Sequence, residues 1–283
     1  IDFNKKNCLD MKVYRLCLIG YGKWGNIIAK NFSRYKNFNL TVFTKSGKKN
    51  TKKLVNYNQL LNFDLLYAAT NKNINTKLSK YALLNNINII SEKPVFHNLK
   101  NINEFRIKKF KCFFKVNYIY KIFNNYLKIK KKIRGGKIKK IFILFGSNSK
   151  KNSFSYCKWE WLPHIFSLLD YYSNINIKSI KVKKKFNNYF INIRLKNNVV
   201  LNCLYGNNFK KKIRYQKVYY GNKKFLKLVN NNLLNSKRQN IIKITPIETV
   251  INLLVSLLKK NKMDIKDLND TISYNKYIRK INL

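Results

Sequence analysis

Three glycines carry the first chemical signal. They stand in the series Gly20-Tyr21-Gly22-Lys23-Trp24-Gly25, a G-x-G-x-x-G pattern. The apolar run Val13–Gly20 ends on the first glycine. A helical spacing of apolar residues, Trp24, Ile27, Ile28 and Phe32, begins at the other end. Between a strand and a helix, such a loop can cradle the pyrophosphate of a dinucleotide. Gly20 permits the tight turn, Gly22 lets the backbone approach the phosphates, and Gly25 lets helix and strand pack closely. Lys23 and Trp24 fall in the first helical turn, where unpaired N–H groups and the positive dipole end favour an anion. The competing reading is a chance glycine-rich turn, which a chain with 9 glycines in 283 residues seldom produces.

In a site of this kind an acidic residue usually ends the second strand, about 20 residues on, and binds the adenine ribose. Here that strand, Asn39–Thr44, ends in Thr44-Lys45-Ser46-Gly47-Lys48-Lys49, with no acid. A hydroxyl and cations suit a 2′-phosphate, so NADP is favoured over NAD. Lysine is so abundant that Lys45 reads equally as ordinary surface. No metal site is expected. The five cysteines, Cys8, Cys17, Cys112, Cys157 and Cys203, are widely spaced without a C-x-x-C pair, and His97 and His164 are the two histidines. Odd, scattered cysteines also favour a reducing, cytoplasmic setting.

The formal net charge is +49. The excess is nearly all Lys, with Asn and Ile also abundant and Pro, Ala and Gly scarce, as an AT-rich coding bias produces. Read plainly, the lysines are a solvated surface. Read functionally, they attract polyanions, including phosphate-bearing ligands and non-specific RNA. The charge runs from end to end rather than along one element, which weakens a specific nucleic-acid role. No apolar run reaches the roughly eighteen residues of a membrane span. Ile1–Asp10 is polar, unlike a signal peptide, and Met11 is a candidate natural start.

The elements that must position the loop alternate. Strands are expected at Val13–Gly20, Asn39–Thr44, Asp64–Thr70, Ile87–Ser91 and Cys112–Asn117, with helices over Trp24–Phe32 and Leu78–Leu84. Alternation of this kind implies a parallel sheet covered on both faces. After about Tyr118 the pattern changes. A Lys-rich amphipathic helix over Ile119–Ile133 is broken by Gly135-Gly136. Strands follow at Lys139–Phe145, Ile177–Lys183, Tyr189–Leu195, Val199–Tyr205, Arg214–Tyr220 and Lys224–Val229, joined by Asn-rich turns. Helices are expected over Pro163–Tyr172 and Ile247–Lys259, each with Pro at its start.

At this point a family pattern emerges. Tyr67-Ala68-Ala69-Thr70, then a helix, then Ile89-Ile90-Ser91-Glu92-Lys93-Pro94 resembles the Gfo/Idh/MocA oxidoreductases. In that family a strand ends in A-T-P/N, a helix follows, and the next strand runs into E-K-P. Asn71 stands where Pro is common, Asn75 where His is common, and Asn86 where Gly is common. Asn is the next-best residue for a left-handed position. Lys115-Val116-Asn117-Tyr118-Ile119-Tyr120 resembles the segment joining the family's two domains. Trp159-Glu160-Trp161-Leu162-Pro163-His164 resembles its W-D-x-G-P-H motif, with Glu160 for Asp and Leu162 for Gly.

The resemblance implies an α/β fold: a doubly wound parallel Rossmann domain over residues 11–118, then an α+β domain over 119–283 with a mainly antiparallel open sheet. Such sheets usually form the family's dimers or tetramers, so a homo-oligomer is expected. Around the glycine loop, Thr44, Lys45, Ser46, Ala69, Thr70 and Asn71 would border the cofactor, with Glu92, Lys93 and Tyr118. Glu92 has an alternative role, holding the turn by accepting N–H groups.

The implied chemistry is hydride transfer between a nicotinamide and the secondary alcohol carbon of a sugar, sugar nucleotide or cyclitol. Lys93, at the ligand end of a strand, would orient the substrate oxygen or transfer its proton. His164 would accept the proton. Glu160, four residues earlier, would orient the imidazole unless Pro163 breaks the helical turn. Two other readings stand beside this one: a catalytically silent dinucleotide binder, and a charge-driven nucleic-acid-binding protein. The second leaves the glycine loop and Glu92-Lys93-Pro94 unexplained.

Overall fold

The computed structural model describes residues 12–47, 51–97, 105, 109–122, 129, 133, 137–221, 224–229, 232–234 and 246–283. The expectations for Met11, Cys8, Lys48-Lys49, most of Ile119–Ile133 and Gly135-Gly136 lie outside the described residues. The chain divides into two compact units. One comprises Ile1–His97, Asn103–Asn117 and Ile251–Leu268; the other comprises Asn98–Ile102, Tyr118–Val250 and Asn269–Leu283.

The first unit is built on the strand β1, Tyr14–Ile19. Five of its six residues are buried, with Arg15 the exception. A strand buried on both faces reads as a continuous apolar run, and each large side chain contributes about 1.5–3 kcal/mol by leaving water. Around it lie β2 (Phe38–Thr44), β3 (Lys52–Lys53), β4 (Leu65–Ala68), β5 (Asn88–Ser91) and β6 (Phe114–Val116). They form one sheet in the order β3-β2-β1-β4-β5-β6, and every pairing is parallel. This is the doubly wound order, in which the direction of strand addition reverses beside β1. Helix α1 (Lys23–Phe32) and helix α2 (Lys72–Leu84) are the crossovers.

One local reading changes. Helix α2 begins six residues before the expected Leu78, because Asn71 caps it by accepting from Asn73 N and Ile74 N. It ends before Asn86, whose φ of 54° is the left-handed conformation its residue type suggested. The two-residue strand β3 and a short 3₁₀ helix, Tyr57–Asn62, had no periodic signal.

The far edge of this sheet is closed by a segment from much later in the chain. Phe113 and Asp264 form a parallel bridge. Lys115 Nζ lies 2.8 Å from Asp264 Oδ2, and Asp267 Oδ2 accepts from the buried Val116 N at 3.1 Å. Strand edges need such cover. Asp267→Ala is therefore expected to lower stability by about 1–3 kcal/mol, the cost of a buried donor left without its acceptor. Urea unfolding checks this; an unchanged midpoint would show that the bond contributes nothing.

In the second unit lie the short helix α3 (Ile119–Ile122) and seven strands. The strands are β7 (Ile138–Asn148), β8 (Ile177–Lys185), β9 (Asn188–Leu195), β10 (Val200–Gly206), β11 (Asn208–Tyr220), β12 (Lys224–Val229) and β13 (Asn232–Leu234). Their order is β13-β12-β11-β7-β10-β9-β8. Among the described residues of this sheet, only β7 and β10 pair in parallel; the other pairings are antiparallel.

One sheet face is buried through Ile141, Ile143, Phe145, Ile191, Ile193, Leu201 and Cys203. Helix α4 (Phe154–Tyr172) packs against this sheet through β7 and β10. Side chains of the other register, such as Phe142, Leu144 and Tyr215, are half-exposed. Many lysines find a structural use here. Lys181, Lys183, Lys184 and Lys185 lie exposed on the edge strand β8, where charge discourages pairing with another sheet.

Helix α4 corrects a second expectation. It starts at Phe154, not Pro163, with Ser153 as its cap. Pro163 sits inside the helix, where it removes one backbone bond at a usual cost of about 3 kcal/mol. The continuous burial of Trp161–Leu169 offsets that cost. The final helices are α5 (Pro246–Lys259) and α6 (Lys266–Lys280). The second was not expected, because its Lys, Asn and Asp content hides a stripe at Leu268, Ile272, Asn275 and Ile278.

Candidate functional site

In the first unit the expected residues converge at the carboxyl ends of the parallel strands. Gly20 follows β1 with a φ of 103°, a conformation that side chains rarely adopt. A Cβ there would lie 2.5 Å from the Ala69 carbonyl oxygen and 2.8 Å from Thr70 Cγ2. The loop and the turn after β4 are thus in direct contact. A Cβ on Gly25 would lie 2.1 Å from the Gly20 carbonyl oxygen, so close approach fixes that residue as well.

Gly22 differs from both. It is the N-cap of α1, in extended conformation, and a Cβ there would meet nothing within 4 Å. No side chain caps the helix at this position, and its first turn contains no acid. The space beside Gly22 and the amide groups of Lys23, Trp24 and Gly25 therefore suit an anionic ligand. A dinucleotide diphosphate fits this cradle.

At the end of β2, Thr44 Oγ1 accepts from Gly47 N at 3.0 Å and lies 3.1 Å from Thr51 Oγ1. Lys45 and Ser46 form an exposed bend, and the exposed Lys52 and Lys53 pair beside Phe43 and Thr44. Between Asn39 and Asn62 the chain has no acidic residue.

The turn after β4 is fastened from within. Asn75 is 1% exposed. Its Oδ1 accepts from Thr70 N at 3.0 Å and Thr70 Oγ1 at 2.6 Å. Its Nδ2 donates to the carbonyls of Thr70 and Glu92, at 3.2 and 3.1 Å. Asn75 thus ties the Thr70 turn to the segment bearing Lys93. The Asn71 side chain is committed to capping α2.

Glu92 is a hub. Its Oε1 accepts from Trp24 Nε1 at 2.5 Å, Asn117 Nδ2 at 2.6 Å and the Tyr67 hydroxyl at 2.7 Å. Burial pushes the Glu92 carboxyl above its ordinary value, although the three donors and nearby Lys93 pull it down. Glu92 N also donates to the Ala68 carbonyl, which holds this segment beside the end of β4. Lys93, next along, is half-buried.

In the second unit, Glu160 and His164 share helix α4 four residues apart, on one face, and Pro163 does not interrupt it. His164 is 8% exposed. Its ring meets Tyr120 edge-on at 5.0 Å, and Tyr120 packs 4.9 Å from Phe145. The Tyr120 hydroxyl accepts from Arg214 Nε, and the guanidinium lies 4.4 Å from the Trp161 ring centroid. Trp161 Nε1 in turn donates to Asn207 Oδ1 at 3.1 Å. Burial holds the Tyr120 phenol above its ordinary value, against the pull of Arg214.

This cluster joins an imidazole, a phenol and a guanidinium on a rigid aromatic base, groups suited to binding hydroxyls and moving a proton. Tyr118 has a different setting. It is 2% exposed, with its hydroxyl 2.9 Å from Thr271 Oγ1 and its ring 5.7 Å from Tyr274.

Sequence reasoning missed Tyr67, Asn117, Tyr120 and Arg214. Arg214 carried one usable signal, being an arginine in a chain whose cations are nearly all lysine. A guanidinium stacks on aromatics and keeps its charge there, which an ammonium does less well. Among the described residues no group of three or more His, Cys, Asp or Glu is arranged to hold a metal, and no helix is long and apolar enough to cross a membrane.

No protein-family model and no curated protein sequence matches the chain. Solved structures do. A UDP-N-acetylglucosamine 3-dehydrogenase from Acidithiobacillus ferrooxidans superposes with a TM-score of 0.80 at 11% identity, covering 95% of this chain and 96% of that one. A dehydrogenase from Clostridium difficile gives 0.78 at 13% identity, covering 95% and 98%. A myo-inositol 2-dehydrogenase from Lactobacillus plantarum gives 0.77 at 14% identity, covering 95% and 96%.

Proposed function

Proceeding from the Gfo/Idh/MocA-type dehydrogenase fold of this chain, we propose that it is an NAD(P)-dependent oxidoreductase of that family. It acts on a secondary alcohol carbon of a sugar, sugar nucleotide or cyclitol. The observation that carries this reading is the empty space beside Gly22, set between two glycines that the fold itself requires. Structural need accounts for Gly20 and Gly25; Gly22 is accounted for by a ligand.

The bound nicotinamide supplies the hydride acceptor or donor. Gly22 and the first turn of α1 hold the diphosphate. Lys93 orients the substrate oxygen, and His164 takes or returns its proton, with Glu160 on the same helical face to orient the imidazole. Tyr120 and Arg214 complete the wall around His164. This substrate class is supported by the neighbours, which include a sugar-nucleotide dehydrogenase and an inositol dehydrogenase.

NADP is preferred over NAD in this reading, because Lys45 follows Thr44, Lys53 pairs with it, and the chain has no acidic residue between Asn39 and Asn62. Titration of nucleic-acid-free protein with NADPH and NADH, followed by nicotinamide fluorescence at moderate salt, tests both claims. NADPH should bind about tenfold more tightly, and Thr44→Asp should reverse the order, a swing of roughly 1.4 kcal/mol or more. Equal affinities, unchanged in Thr44→Asp, would remove the phosphate argument. No binding of either dinucleotide to folded protein would sink the dehydrogenase reading and move the weight to polyanion binding.

A further inference from the structure

We infer that Glu92 is a positioning residue rather than a cofactor ligand, and that Trp24, Tyr67 and Asn117 complete a clamp which fixes the glycine loop and Lys93. The inference rests on the dinucleotide reading above and says how that site is kept in shape.

Three donors already converge on Glu92 Oε1, from Trp24, Asn117 and Tyr67. A carboxylate oxygen has about two lone-pair positions, so Oε1 is taken up by protein groups and the three donors hold the carboxylate in one orientation. Trp24 opens α1, Tyr67 lies in β4, Glu92 follows β5, and Asn117 follows β6. The hub thus joins the glycine loop to the ends of three neighbouring strands. Asn75 adds a fourth tie, from α2 to the Glu92 carbonyl.

The arrangement is also costly. Asn117 is 3% exposed, and its Nδ2 reaches both Glu92 and the Tyr67 hydroxyl, at 2.6 and 3.1 Å. That orientation leaves the buried Asn117 Oδ1 without a partner among the described residues. An unmet buried acceptor costs about 1–3 kcal/mol. A cluster serving stability alone would be apolar here. Such costs collect where geometry is needed for function, and the carboxyl ends of parallel strands are the ligand side of this fold. Trp24 is the member that reaches outward, at 36% exposed. Its indole N–H carries the order of the strand ends into the loop that cradles the diphosphate.

The test is a double-mutant cycle on dinucleotide affinity, read by NADPH and NADH fluorescence in the full-length protein. Trp24→Phe keeps a ring and removes the N–H; Glu92→Gln keeps the shape and weakens the acceptor. Each should raise Kd about tenfold, and the double variant should be no weaker than the worse single variant, since both break one device. Thermal unfolding of each variant runs alongside. If Glu92→Gln does not fold, Trp24→Phe paired with Asn117→Ala runs the same cycle. Effects that multiply, or single variants with wild-type affinity, would overturn the clamp. Wild-type protein that binds neither dinucleotide is a different outcome, because it removes the cofactor reading itself.

Discussion

Gly22→Val should abolish dinucleotide binding and leave the fold intact. The added Cβ meets no protein atom within 4 Å among the described residues. Extended backbone at this position accepts any residue, as its φ of −72° and ψ of −171° show. The melting temperature should therefore hardly change. The branched side chain instead fills the space for the diphosphate and keeps it from the helix amides, so Kd should rise about a hundredfold or more, roughly 2.7 kcal/mol.

Gly25→Ala is the control with the opposite signature. Its Cβ would lie 2.1 Å from a backbone oxygen, so binding and stability should fall together. Fluorescence titration and a thermal melt on both variants decide the matter. Unchanged affinity in Gly22→Val would mean that no ligand uses this cradle.

Lys93→Met should lower turnover by about a hundredfold or more, because the substrate oxygen loses the group that orients it for proton transfer to His164, with cofactor affinity almost unaltered. Methionine keeps the length and the apolar stem of lysine and loses its charge and donors. A suitable assay follows NADP or NAD reduction with UDP-N-acetylglucosamine, myo-inositol and scyllo-inositol as trial substrates. His164→Asn should give a loss of similar size. The catalytically silent reading makes the contrary forecast: cofactor binds, no alcohol is turned over, and both substitutions leave every measured property as it was. The two readings separate on wild-type protein before any variant is made.

Most of the first unit was legible in the sequence because its signals are local. A parallel strand buried on both faces must be apolar throughout, and β1, β4 and β5 are. A close approach of backbone to backbone demands glycine, and Gly20 and Gly25 stand where it occurs. The asparagines at 71, 75 and 86 looked like departures from a family pattern. In the folded chain they cap a helix, fasten a turn and adopt a left-handed conformation.

Less of the second unit was legible, for two reasons. Compositional bias spread lysine and asparagine over core and surface alike, which blurred the stripe of α6. Pro163 looked like a helix start, and nothing local shows that burial of Trp161–Leu169 can carry a proline inside a helix.

By itself the sequence determined the alternation of strands and helices, the glycine cradle, and the positions of Lys93, Glu160 and His164. Each depends on residue type and short spacing, which the chain carries from the outset. The tertiary structure alone decided which groups meet. Asn117 reaches Glu92 across 25 residues, Trp24 reaches it across 68, and Arg214 reaches Tyr120 across 94. Contacts over such separations are set by strand order and crossover packing, and no local pattern encodes them. For that reason Glu92, which the sequence left between cofactor contact and turn support, is seen as a hub only in the folded chain.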